Sequence, residues 1–95
     1  MPESPSQWRE TARKAEDSGY STFLLADHYI GPGSALEAAN HPIQTVAAIP
    51  AMMAAADATS SIMIGCKVIC VDYHHPTVLA KELATIDFLS EGRLE

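Results

Sequence analysis

Apolar and polar positions recur along this chain with two different periods, and the switches between them divide it into elements. Trp8, Ala12 and Ala15 fall at helical spacing behind Ser4-Pro5-Ser6-Gln7. In that stretch Ser4 can cap, Pro5 suits the first helical position and Gln7 completes a capping box. Gly19 offers the left-handed residue that ends a helix, so the spacing predicts a helix near residues 5–18. Thr22-Phe23-Leu24-Leu25-Ala26 follows at once. A short, nearly unbroken apolar run is how a strand buried on both faces of a parallel sheet reads. It gives way to Asp27-His28-Tyr29 and a loop through Gly31-Pro32-Gly33-Ser34.

Helical spacing returns in the Ala- and Met-rich residues 43–56, through Ile43, Val46, Ile49, Met53 and Ala56. Pro50 lies in the middle and lacks a backbone donor, so it predicts either a kink or a fresh helix start. Residues 62–71 predict a second strand, interrupted by Gly65 and Lys67. A glycine inside a strand marks a bulge or a close backbone approach. Asp72-Tyr73-His74-His75 forms a loop leading to Pro76, a good first helical residue, after which Val78, Leu79, Leu83, Ile86 and Leu89 line one helix face. Gly92 stops that helix, and Arg93-Leu94-Glu95 can open another strand. The order helix, strand, helix, strand, helix predicts an α/β fold of parallel strands joined by right-handed crossovers. A parallel sheet needs both faces covered, and a complete eight-fold barrel takes about 250 residues. The 95 residues therefore read as one segment of a larger parallel α/β protein, with no domain boundary inside 1–95 and strands missing on both sides.

Composition narrows the function classes. Apolar residues make up 47% and charged residues 19% of the chain, a globular balance. Aromatics are only 6%, so the core must rest on Ala, Ile, Leu, Val and Met. The net charge of −6, with no Lys/Arg cluster, repels phosphate backbones and argues against nucleic-acid binding. No apolar run reaches the roughly 18 residues of a membrane span. The first ten residues, MPESPSQWRE, lack the basic and apolar regions of a signal peptide, and a cytoplasmic location is expected. If Cys66 and Cys70 shared one strand, they would lie on one face about 13 Å apart, too far for a disulfide. Both read as buried free thiols.

Two places could carry chemistry. Asp27-His28 stands at the C-terminal end of the first predicted strand, the end that carries active sites in parallel α/β proteins. A histidine there can take or give a proton near neutral pH; the plainer alternative is a structural hydrogen bond, with Asp27 a turn residue. The second place is Gly65-Cys66-Lys67-Val68 and the following Asp72 to His75. Gly65 would admit a flat ring or a backbone, while Lys67 could simply extend its ammonium to water. His28, His41, His74, His75, Asp27 and Asp72 include metal-ligand types. No H-x-x-x-H or C-x-x-C spacing joins them, and no metal is expected. P-loop, G-x-G-x-x-G and G-x-S-x-G motifs are absent.

Taken together, A-E-D-S-G-Y (15–20), A-D-H (26–28), G-C-K-V (65–68) and H-P-T-V-L-A-K-E-L-A-T-I-D-F-L-S-E-G-R-L-E (75–95) resemble the luciferase-like monooxygenase superfamily. They are most similar to its class of oxidoreductases dependent on the deazaflavin coenzyme F420. The resemblance implies a fragment of a (β/α)8 TIM barrel, running from the first helix to the start of the fourth strand. It implies a site for coenzyme F420, or alternatively FMN, at the C-terminal barrel face. Asp27-His28 matches the family's Asp-His pair after the second strand, which implies a catalytic, proton-transferring His28 beside a cofactor-binding Asp27. Cys66, Lys67 and Val68 match the cofactor-binding segment that backs the ring. Several members have a non-proline cis peptide at the position of Lys67-Val68, although many carry Gly or Ser where this chain has Lys67. The activity implied is hydride transfer between the deazaflavin and a small organic substrate. An FMN-dependent monooxygenase and a truncated, non-catalytic fragment that only self-associates are the alternatives. Unpaired strand edges further predict a homo-oligomer, or association with a complementary barrel fragment.

Overall fold

A computed structural model describes residues 1–29, 33–40 and 43–95. The elements, in chain order, are α1 (Pro5–Asp17), β1 (Thr22–Leu25), α2 (Ser34–Ala38), α3 (Ala48–Ala58), β2 (Met63–Cys66), a 3-10 turn (Val71–Tyr73) and α4 (Pro76–Leu89). Gly31, Pro32 and the candidate ligand His41 lie outside the described residues.

Helix α1 starts as its sequence dictates. The Ser4 hydroxyl accepts from the Gln7 N–H at 3.1 Å, while the Gln7 side chain accepts from the N–H of Glu3, one residue earlier than a regular capping box. Pro50 resolves the ambiguity over residues 43–56: the helix starts afresh. It begins at Ala48, which puts Pro50 in the first turn, where its missing N–H costs no helical bond. Residues 43–47 stay outside. The second strand is shorter than the apolar run suggests. It ends at Cys66, and the Lys67–Val68 peptide is cis, in line with the family resemblance. Cys70 therefore does not share a strand with Cys66, and the common-face reading of the two thiols fails. Short helix α2 falls in what the sequence presents as loop.

β1 and β2 pair in parallel, with Thr22 opposite Met63 and Leu25 opposite Cys66. Met63 N–H donates to Ser21 O at 3.0 Å, and Lys67 N–H donates to Leu25 O at 2.8 Å. Ile64 points its backbone the other way: it donates to Arg93 O at 2.8 Å and accepts from Glu95 N–H at 2.9 Å. The resulting parallel bridge between Ile64 and Leu94 puts the start of a third strand on the far edge of β2. Gly65 is what permits this crowding, since a Cβ there would stand 2.8 Å from both Glu95 O and the Leu24 side chain.

One face of the sheet is covered by helices. Trp8 of α1 meets Phe23 with ring centroids 5.2 Å apart, and its indole N–H donates to Ala51 O at 2.9 Å. Ala48, Ala51, Met52, Ala55 and Ala56 of α3 join Ala12, Leu25, Ile62, Ile64 and Ile86 in one core. The alanines let α3 lie close to the strands, and each fully buried large side chain such as Met52 or Ile64 contributes about 1.5–3 kcal/mol. On the opposite face Leu24 remains 47% exposed, and no helix among the described residues packs over it. No helix among them is long and apolar enough to cross a membrane.

The N-terminal end of β2 is sealed by two charged side chains. The Glu16 carboxylate accepts from the backbone N–H groups of Ser60, Ser61 and Ile62 at 2.9, 2.7 and 2.9 Å. These bonds, led by that from Ile62, hold its carboxyl at about 2 against a usual 4.5. Arg93 donates to Ala56 O, Thr59 O, Thr59 Oγ1, Ile62 O and Ser90 O at 2.7–3.1 Å. It thus ties the end of α3 and the turn after it to the start of β2 and to the exit of α4. The arginine of the S-E-G-R run therefore serves the architecture.

Candidate active site at the C-terminal strand ends

Beyond Leu25 and Cys66 the two strands deliver Asp27-His28-Tyr29 and Lys67-Val68 to the same end of the sheet. Side chains alternate along an extended chain, and burial follows the alternation. Phe23 and Leu25 face the helices, Asp27 continues that side at 1% exposure, and His28 is exposed. The sequence expectation places His28 and Asp27 at one rim, and the structure brings both there, directed to opposite sides.

Asp27 is tied to the segment after β2. Its Oδ2 accepts from the Cys70 N–H at 3.1 Å and lies 2.6 Å from His74 Nε2. With an ionised carboxylate as the acceptor, Nε2 is the nitrogen that carries the proton. Oδ1 is buried with no hydrogen-bond partner among the described residues. His74 is 11% exposed at its side chain and meets the Tyr29 ring at 6.4 Å, while Tyr29 packs edge-on against Tyr73 at 5.2 Å. Sequence reasoning placed His74 within the second candidate segment, Asp72 to His75, and in an unfavoured metal set, without pairing it with Asp27. The imidazole that Asp27 holds is His74, 47 residues away, rather than its chain neighbour His28. Only the acidic residue at a strand end hinted at such a partner.

The remaining candidates from the sequence surround this pair. Cys66 is partly buried, and burial, with the negative Asp27 second, pushes its thiol up to about 11. It stays protonated at neutral pH and forms a neutral wall rather than a nucleophile. Lys67 is exposed with its N–H spent on Leu25 O, and Val68 is 70% exposed. A cleft of about 540 Å³ adjoins His74 and Tyr29, with Ile49, Met53, Ile86 and Leu89 as apolar lining and Lys81 and Glu82 as charged lining.

Comparison with known proteins gives these residues a setting. The family profile described as luciferase-like monooxygenase matches residues 1–95. Limonene 1,2-monooxygenase of Rhodococcus erythropolis is 34% identical over 77 residues, covering 80% of this chain and 17% of the relative. An uncharacterized protein of Mycobacterium tuberculosis is 34% identical over 95 residues, covering 87% of this chain and 33% of its own length. The crystal structure of monooxygenase RslO1 from Streptomyces bottropensis superposes with a TM-score of 0.74 at 24% identity, covering 98% of this chain and 27% of that one. That likeness shows the fold, an α/β segment of helices and parallel strands. The chain spans a third or less of the length of these relatives.

Proposed function

Since the chain belongs to the luciferase-like monooxygenase family, we propose that it forms the part of an oxidoreductase barrel that presents His28 to a flavin-type ring at the C-terminal strand ends. The observation that carries this reading is the state of Asp27. Buried polar atoms in folded proteins nearly always have partners, yet Oδ1 of this carboxylate has none among the described residues. It stands at the strand ends where parallel α/β proteins bind their ligands. The residues fit a ring cofactor as far as they extend: an unfilled acceptor at Asp27, an exposed apolar Val68 and a cationic Lys67 around one rim.

Such a ring, when bound, supplies the redox chemistry, and the protein supplies position and proton management. His28 is exposed at the rim of the strand ends, where it is the group placed to move a proton to or from substrate. Asp27 provides fixed negative charge behind it. Cys66, held protonated, adds bulk without competing as a base. For the cofactor, the relative named as a monooxygenase supports the reading of FMN with oxygen. Hydride transfer with coenzyme F420 is the second reading, favoured by the A-D-H segment and residues 75–95. The outer edge of β1 and the uncovered Leu24 face fit association with a complementary barrel segment or a second copy.

Fluorescence titration with FMN and with coenzyme F420 separates the two cofactors. In a barrel completed with the remaining strands of a relative, His28→Ala should lower turnover about 10²–10⁴-fold while leaving the melting temperature unchanged. Unchanged turnover with a lowered melting temperature refutes the assignment.

A further inference from the structure

We propose that His74 is the positioning residue for His28, acting through the buried Asp27 carboxylate; this rests on the reading of His28 as the proton-transferring group. The last ladder bond between β1 and β2 runs from Lys67 N–H to Leu25 O at 2.8 Å. Past that point no further ladder bond joins the two chains among the described residues. What replaces the ladder is Asp27. Its Oδ2 collects the Cys70 N–H at 3.1 Å and His74 Nε2 at 2.6 Å, both from the segment that follows β2.

Asp27 and His28 are consecutive, and their side chains point to opposite sides of the chain, one 1% exposed and the other open. Fixing the carboxylate therefore fixes the direction in which His28 leaves the backbone. Of the two donors, His74 is the stronger, because a short N–H bond to a carboxylate from a ring is both directional and charge-assisted. The ring is itself held edge-on by Tyr29, the residue after His28, so His74 grips the strand end on both sides of His28. The arrangement is a base oriented by a third group, here relayed along the backbone instead of through a direct bond.

The test is nuclear magnetic resonance of the histidine rings in the whole 95-residue chain, without cofactor, in wild type, His74→Phe and His74→Gln. Phe keeps the ring packing against Tyr29 and removes the donor; Gln restores an N–H. Ile62→Ala, in the core at the N-terminal end of β2, serves as a destabilised control. The expected result is that His74→Phe abolishes the downfield Nε2 proton and moves the His28 ring signals, that His74→Gln returns the His28 signals toward wild type, and that Ile62→Ala leaves them in place. Unmoved His28 signals in His74→Phe, movement matched by Ile62→Ala, or no recovery in His74→Gln each overturn the proposal. Titration of the same proteins with FMN examines the cofactor reading separately. If FMN fails to bind wild type while the His28 signals behave as expected, the cofactor reading fails and the positioning role of His74 stands.

Discussion

Two carboxylates lie at opposite ends of the same two strands, and they are treated in opposite ways. Glu16, at the N-terminal end of β2, accepts from three consecutive backbone N–H groups and from the Ser60 and Ser61 hydroxyls. Asp27, at the C-terminal end, is more deeply buried yet leaves one oxygen with no partner among the described residues. The first end is built for stability, with Arg93 beside it bridging the end of α3 to the start of β2. The second holds a polar atom in reserve. In parallel barrels the same division separates the face that holds the fold from the face that performs the chemistry.

The division predicts an unequal response to substitution. Arg93→Ala should cost the most, about 2–4 kcal/mol in urea denaturation, because five acceptors lose a charged donor at once. Arg93→Lys should recover little, since an ammonium cannot reproduce the fork of a guanidinium.

Glu16→Gln should have the next largest effect, and its size should depend on pH. The carboxyl protonates near its usual 4.5 in the unfolded chain and at about 2 in the folded one. It therefore adds stability above its unfolded value, and that contribution fades as pH falls from about 4.5 toward about 2. Melting curves should place the Gln variant several degrees below wild type at pH 7, with the gap closing in acid. A gap that persists unchanged to pH 2 breaks the account of Glu16.

Asp27→Asn should change stability least, by less than about 1 kcal/mol, because removing a half-satisfied buried charge offsets the weaker bond to His74. A loss as large as that of Arg93→Ala would erase the contrast between the two ends.

What the sequence made legible follows this contrast as well. Period and punctuation located α1, β1 and α4 closely, because Ser4-Pro5, Gly19 and Pro76 act on their own local backbone. The parallel pairing and the third strand at Leu94 were also readable from element order. Position alone marked Asp27-His28 as the rim. The end of β2 at Cys66 was not readable, since the apolar run continues through Val68, Ile69 and Val71 while the backbone turns away. The Asp27–His74 pair was hidden for a different reason. It joins residues 47 apart in sequence, and nothing in the local pattern of either declares the other. The same holds for Arg93, whose five acceptors are distributed over α3, its exit, the start of β2 and its own turn.

The chain contains one tryptophan, and its indole is committed to the helix seam, donating to Ala51 O at 2.9 Å and lying against Phe23. As a chromophore it is therefore local. Its emission maximum will shift toward the red when α1 parts from α3. A fluorescence trace of this protein thus reports on the seam between α1 and α3, and a ligand that changes it has reached the helix layer or quenched the indole by energy transfer to its own ring.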